Sequence, residues 1–199
     1  VEPARYPLAL LQLAKSVAFL RKNAAEFHID TNKIVLQGFS AGGHLAANLA
    51  TSTSDDVLVA HGYDPDAVRP NGLMLAYPVI TSGPLAHRGS FDSLLGERRN
   101  DSQALESVSI ERHIDAKTPP VFAWHTVPDE TVPYENTLML IDACKKAGVS
   151  IEAHLFPQGG HGLSLGTAET AWQGVNGIEP SIQIWPQLAV SWMRRTFAR

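Results

Sequence analysis

Residues 33–46, with the sequence KIVLQGFSAGGHLA, join a predicted strand to a predicted helix through a glycine-rich turn. The apolar run within 33–38 is typical of a strand that is covered on both faces of a parallel sheet. A helix is predicted from 41 to 51. Residues 38–42, at the turn, fit the pattern G-x-S-x-G, which places a serine on a sharp bend at the end of a strand. Ser40 is therefore the predicted nucleophile.

The glycines of this turn have a steric explanation. We expect the backbone on either side of Ser40 to pass so close to its neighbours that a side chain at Gly38 or Gly42 would clash. The helix that follows points its amides at the serine, and these amides favour developing negative charge. Gly43 needs no chemical role, and His44 is interpreted as a structural or rim residue.

Strands and helices alternate along the rest of the chain. Strands are predicted at 33–38, 72–77, 121–125 and 151–156, and helices at 7–27, 41–51, 134–147 and from about 186. We expect the last strand to be half-exposed, the stretch at 81–117 to be loop-rich, and the stretch at 162–181 to be irregular. This order predicts an α/β fold, with a mostly parallel sheet and helices on both faces, in a single domain spanning 1–199.

A base and an acid for Ser40 are predicted from chain order, because the acid and then the histidine follow the serine in folds with this motif. His161 lies in a glycine loop directly after the strand at 151–156, and a structural histidine is the alternative. Asp129 and Glu130 compete in the loop after the strand at 121–125. Asp129 is preferred because the pattern D-x-x-V-P places its carboxylate in the loop, although it could instead cap the next helix. Glu130 is expected to be exposed.

Composition and charge exclude several functions. The 199 residues carry a formal net charge of -4 with neutral histidines, and 44% of them are hydrophobic. Without a basic patch or a long apolar run, we expect no nucleic-acid partner and no membrane partner. The single cysteine, Cys144, is expected to be a buried thiol, and the histidines and carboxylates show no metal-ligand spacing, so neither a metal nor a cofactor is predicted. No signal peptide is visible after Val1, and a cytoplasmic location is expected.

With these segments assigned, the sequence resembles the esterase/lipase branch of the α/β-hydrolase superfamily. Within that branch it is similar to bacterial acetyl esterases and xylan-esterase-like hydrolases. The resemblance covers nearly the whole chain and is carried by GFSAGGHLA at 38–46, YPVI at 77–80, DETVP at 129–133, HGLSL at 161–165 and IWPQLAVSWM at 184–193. It implies that Ser40, Asp129 and His161 form a catalytic triad, and that the Ala41 amide is one donor of the oxyanion hole.

The sequence departs from this family at its beginning. Relatives carry further upstream strands and an HGG-type loop that supplies a second oxyanion donor. This chain has no HGG segment, since its Gly-Gly pair at 42–43 belongs to the serine turn and the other pair, at 159–160, belongs to the histidine loop. We therefore expect a C-terminal portion of a longer domain, with the N-terminal strands missing. The open edge of the strand at 33–38 predicts a homo-oligomer or a complementing chain there.

These residues predict a serine carboxylic-ester hydrolase that acts on a small-molecule ester through an acyl-serine intermediate. The resemblance favours short acyl groups, for example acetyl groups on a sugar. Irregular segments at 81–117 and 163–180 are expected to shape the pocket, with Trp124, His125 and Trp172 as candidate lining residues. Three alternatives stay open: a peptidase or amidase with the same triad, a non-catalytic module, and a related hydrolase such as a formamidase or lactonase.

Overall fold

The computed structural model describes residues 5–172 and 177–198. Within these residues, four parallel strands form one sheet in the order β1-β2-β3-β4, so each strand pairs with the next along the chain. The strands are β1 (Val35–Phe39), β2 (Gly72–Ala76), β3 (Val121–Thr126) and β4 (Ile151–Phe156). The predicted parallel sheet is confirmed.

Helices connect these strands and flank the sheet. They are α1 (Leu8–Lys22), α2 (Ala41–Ala50), α3 (Asp55–Ala60), α4 (Pro65–Val68), α5 (Arg88–Leu95), α6 (Ser102–Ser107), α7 (Glu135–Ala147) and α8 (Trp185–Thr196). α1 ends earlier than the predicted residue 27, because the Asn23 side chain donates a hydrogen bond to the Phe19 carbonyl and competes with the next turn. α7 ends at Gly148 in the left-handed conformation, as predicted.

The stretch at 81–117, expected to be loop-rich, contains more helix than the sequence indicated, because α5, α6 and the short 3₁₀ turns Gly96–Arg98 and Ile110–Arg112 lie within it. Asp101 begins α6 by accepting hydrogen bonds from the backbone amides of Gln103 and Ala104. These short elements stay folded because Phe91, Leu95, Ala104 and Val108 bury their side chains against Val79 and Val132. α3 and α4 were likewise absent from the predicted helices.

The core lies on both faces of the sheet, since successive side chains of a strand point to opposite faces. One face packs against α2 and α7 and contains Ala46, Ala47, Ala50, Leu73, Leu75, Val121, Ala123, Leu140 and Cys144. The other packs against α8 and contains Met74, Ala76, Phe122, Trp124, Trp185, Ala189 and Trp192. Cys144 is fully buried as expected, and burial raises the pKa of its thiol to about 12.

The two outer strands differ from the two inner ones in burial. β2 and β3 are buried along their whole length, while β4 is half-buried, as predicted. β1 was expected to be covered on both faces, but it is only partly buried and Gln37 is exposed. The reason is its position, because among the described residues β1 pairs with β2 alone and forms one edge of the sheet. A second chain at this edge stays a prediction.

The predicted irregular stretch at 162–181 is described except for 173–176, which lie outside the described residues, as does Val1. Its described part consists of turns and the start of the 3₁₀ turn Pro180–Ile182, in agreement with the prediction. None of the helices in the part of the chain that the structure describes is long and apolar enough to cross a membrane.

Candidate active site

The predicted nucleophile, acid and base all follow the carboxyl ends of strands. Ser40 comes directly after β1, Asp129 lies in the loop after β3, and His161 lies in the loop after β4. Because the strands are parallel, these ends meet at one edge of the sheet, which is where open α/β sheets bind ligands. The structure brings the three side chains together at this edge.

Ser40 occupies a backbone conformation that few residues other than glycine adopt, with φ 52° and ψ −121°. It is held there by β2 and the chain that follows it. The Ser40 amide donates to the Ala76 carbonyl at 3.0 Å, and the Ser40 carbonyl accepts from the Val79 amide at 3.2 Å. Strain of this kind costs about 1–3 kcal/mol and persists only where the surrounding structure imposes it. The bend directs the serine side chain away from the sheet toward His161.

The glycines of the turn contribute differently from what the sequence predicts. A Cβ atom at Gly38 would lie 2.3 Å from the Gly42 carbonyl oxygen, so this position requires glycine. The prediction for Gly42 was wrong, because a Cβ there would meet no atom within 4 Å. Gly43 carries that steric role instead, since its Cβ would lie 2.9 Å from the Cβ of Pro78. Here α2 packs closely against the residues that follow β2. A local sequence motif does not predict this contact, because the two segments are far apart in the chain.

His161 links the serine to the carboxylate. Its Nδ1 lies 2.7 Å from Asp129 Oδ2, and its Nε2 lies 2.8 Å from Ser40 Oγ. Asp129 keeps its carboxylate ionised, so Nδ1 donates to it and the neutral ring leaves Nε2 free to accept the serine proton. The imidazole is 18% exposed, so it is accessible from solvent and still packed on one side.

Asp129 is buried and accepts hydrogen bonds on both oxygens. The backbone amides of Thr131 and Val132 each donate to Oδ1 at 2.9 Å, and His161 donates to Oδ2. Burial alone would raise the pKa of this carboxyl group, but hydrogen bonds from His125, His161 and the Val132 amide outweigh it and hold the pKa well below its usual value. Asp129 is therefore a carboxylate over the physiological range. Glu130 is exposed, as predicted.

Two aromatic residues that received no individual role from the sequence support the histidine loop. The Tyr77 hydroxyl accepts a hydrogen bond from the Ser164 amide at 3.1 Å, and the Tyr77 ring packs edge-on against His161 with centroids 4.9 Å apart. Trp185 donates from Nε1 to the Ser164 carbonyl at 2.8 Å. Tyr77 and Trp185 lie in the YPVI and IWPQLA stretches, which were the available signal for them.

The candidate pocket residues fare differently. Trp124 and His125 are completely buried, so these two candidates are core residues and do not line a pocket. Trp172 is 43% exposed. His44 is structural, as interpreted from the sequence: it is buried within α2 and its Nε2 lies 2.8 Å from the Val108 carbonyl oxygen. Burial lowers the pKa of His44 despite this hydrogen bond and the nearby charge of Glu111.

The predicted oxyanion donor lies at the first turn of α2. Ala41 is its first residue, and its exposed side faces a cavity of about 270 Å³ that is lined by Tyr6, Leu10, Ala41, Gly42, Asn48 and Leu94 among others. Among the described residues, His, Cys, Asp and Glu side chains form no cluster of three or more suited to a metal ion. The chemistry available at this edge is that of a nucleophile, a base and a buried carboxylate.

Two curated relatives are similar to this chain. Endo-1,4-beta-xylanase B of Butyrivibrio fibrisolvens is 36% identical over 83% of this chain and 26% of its own length. The acetylxylan esterase of Xylanibacter ruminicola is 30% identical over 74% of this chain and 29% of its own length. The chain therefore spans less than a third of these two relatives.

This chain covers a larger share of two similar solved structures. An acetyl ester-xyloside bifunctional hydrolase from Caldicellulosiruptor lactoaceticus is 36% identical, with a TM-score of 0.81 over 98% of this chain and 68% of the other. A carboxylesterase of Lactobacillus plantarum is 29% identical, with a TM-score of 0.81 over 98% of this chain and 70% of the other. The sequence model of the BD-FAE family matches residues 1–143, well over half of the chain. With its parallel sheet and its serine at the bend after β1, the chain belongs to the BD-FAE family and has the α/β-hydrolase fold.

Proposed function

We propose that residues 1–199 form one α/β-hydrolase unit that hydrolyses carboxylic esters through an acyl-serine intermediate. The observation that carries this proposal is the continuous chain of hydrogen bonds from Ser40 Oγ through His161 to Asp129, with heavy-atom distances of 2.8 and 2.7 Å. Nucleophile and base are within hydrogen-bond reach, and a third group orients the base, which is the arrangement that activates a serine.

The reaction follows from these contacts. Ser40 Oγ attacks the ester carbonyl while His161 Nε2 takes its proton, and Asp129 stabilises the imidazolium that forms. The negative charge on the carbonyl oxygen is met by the Ala41 amide at the positive end of α2. His161 then returns the proton to the leaving alcohol. Water then attacks the acyl carbonyl while the same Nε2 takes its proton. Nε2 returns this proton to Ser40 Oγ as the bond from Oγ to the acyl group breaks and the acid leaves.

The substrate class rests on the names of the relatives. One relative is named an acetylxylan esterase, and a similar solved structure is named an acetyl ester-xyloside bifunctional hydrolase. We therefore propose short acyl groups as the acid part of the substrate, with an acetylated sugar as the alcohol part.

The test compares esters with amides on the same protein. We expect hydrolysis of 4-nitrophenyl acetate and of acetylated xylo-oligosaccharides, with rates that fall as the acyl chain lengthens. Faster turnover of aminoacyl anilides would favour the peptidase alternative. A fluorophosphonate probe should label Ser40, and S40A should lose the labelling together with about three or more orders of magnitude of kcat. Equal activity of S40A and the parent protein would refute the serine mechanism.

A further inference from the structure

His125 lies beside Asp129 Oδ2, the same carboxylate oxygen that His161 contacts. It lies near the end of β3 and is completely buried, as is the side chain of Asp129. His125 Nε2 lies 2.9 Å from the Val132 carbonyl oxygen and 3.3 Å from Asp129 Oδ2, and its Nδ1 lies 2.8 Å from Thr137 Oγ1 on α7. The imidazole therefore bridges the Asp129 loop and a helix.

The partners of His125 determine where its proton lies. The Val132 carbonyl can only accept a hydrogen bond, so Nε2 carries a proton and donates to it, and the same nitrogen lies 3.3 Å from the Asp129 carboxylate. The Thr137 hydroxyl can donate to Nδ1 of the neutral ring and thereby select this tautomer. Thr137 is itself fully buried, so no water competes for the contact.

These contacts close a ring around the carboxylate. The Val132 amide donates to Asp129 Oδ1, while the Val132 carbonyl accepts from His125, whose Nε2 also lies 3.3 Å from Oδ2. Without His125, the backbone amides would fix Oδ1, but Oδ2 would be held only by the partly exposed His161. The terminal torsion of an aspartate has a broad minimum, so Oδ2 could then move away from Nδ1.

We propose that His125 is a positioning residue that aims Asp129 Oδ2 at His161, with Thr137 fixing its tautomer. This proposal rests on the hydrolase function proposed above and adds a fourth side chain to its machinery. His125 touches neither the serine nor the space above it, and acts only through Asp129.

The experiment uses substitutions that separate the donor from the bulk of the ring. H125L removes the donor. H125Q places an amide nitrogen near the position of Nε2 and should restore it. T137V removes the hydroxyl with little change of shape. H154Q is the matched control, because His154 is also a strand histidine but pairs with Glu152 on β4 instead of Asp129.

The readouts are kcat and KM on 4-nitrophenyl acetate and the rate of Ser40 phosphonylation. We expect H125L to lower kcat and the phosphonylation rate about 10- to 100-fold with KM unchanged, as a misplaced catalytic group does. T137V should lower both about threefold to tenfold, H125Q should recover most of the rate that H125L loses, and the control H154Q should stay within about twofold of the parent. Circular dichroism and thermal unfolding check that each variant folds.

Two results would overturn the proposal. One is an H125L variant that folds and matches the parent in kcat and phosphonylation rate. The other is a T137V variant with parent rates, which decides the matter even where H125L does not fold. An equal loss in H125L and H125Q would also count against it, because the donor would then be irrelevant.

A separate measurement distinguishes failure of this proposal from failure of the proposed function. The proton between His161 Nδ1 and Asp129 is observable by proton NMR without any substrate. If the parent protein neither hydrolyses esters nor reacts with the probe, the hydrolase proposal fails. The resonance still tests His125: a shift or loss in H125L that H125Q reverses supports the positioning role, and an unchanged resonance in H125L refutes it.

Discussion

Gly38 and Gly42 flank the same serine, and the structure predicts opposite effects of adding a methyl group to each. In G38A the new Cβ would lie 2.3 Å from the Gly42 carbonyl oxygen, so one of the two must move by about 1 Å. The oxygen belongs to the first turn of α2 and the Cβ to the end of strand β1. Ser40 lies between these two elements, so neither atom moves without displacing it. Overpacking costs about 1–3 kcal/mol, and bond-angle strain in a fixed backbone adds to it. We expect G38A to lose about 3 kcal/mol or more of unfolding free energy.

G42A is the matched control. The added Cβ meets no atom within 4 Å, and Gly42 lies inside α2. Alanine is a better helix former than glycine, so we expect G42A to keep the parent stability or gain up to about 1 kcal/mol. Urea denaturation followed by tryptophan fluorescence measures both variants, since Trp124 and Trp185 stack in the core. Equal stability of G38A and the parent, or an equal loss in both variants, would refute the steric assignment.

Two further predictions concern His44 and Tyr77. Burial holds the pKa of His44 below its ordinary value. Below about pH 6.5 the unfolded chain therefore takes up a proton at this residue that the folded protein does not. As the pH falls, this group should lower the free energy of unfolding by up to about 1.4 kcal/mol per pH unit. H44Q keeps a donor for the Val108 carbonyl and cannot titrate. In urea denaturation, the difference in unfolding free energy between the parent and H44Q should therefore shrink from neutral pH to about pH 5. A difference that stays constant with pH would contradict this prediction. Y77F leaves the Ser164 amide without its acceptor, and we expect a loss of about 1 kcal/mol and slower Ser40 phosphonylation. Y63F is the control for Y77F, and indistinguishable behaviour of the two would argue against loop support by Tyr77.

The parts of the site that the sequence predicts are those in which local chemistry dictates geometry. The strand ends, the bend at Ser40 and the loop position of His161 follow from short patterns of apolar residues, glycines and turn residues. Asp129 was preferred over Glu130 on the same grounds, and the structure places Asp129 inside and Glu130 outside. The parallel sheet then brings the ends of β1, β3 and β4 to one edge.

The missed features depend on contacts between distant parts of the chain. α5 and α6 have too few apolar positions to predict alone, and they stay folded by packing against residues near β2 and α7. The support of the histidine loop by Tyr77 joins residues 87 positions apart. His125 was one of the candidate pocket residues, but whether it faces the solvent or the Asp129 loop depends on the path of the chain to α7.

Among the described residues, β1 lies at the edge of the sheet, which raises the question of whether the alignment of Ser40, His161 and Asp129 depends on contacts beyond this strand. The backbone contacts that hold Ser40 come from β2 and its extension, through the Ala76 carbonyl and the Val79 amide, and from the first turn of α2. His161 and Asp129 likewise follow β4 and β3, on the far side of β2 from the open edge. The hydrogen bonds that align the three side chains therefore require nothing on the outer side of β1. The second oxyanion donor that the sequence analysis predicts is not part of these hydrogen bonds. It stays a prediction for the outer side of β1, near the Ala41 amide.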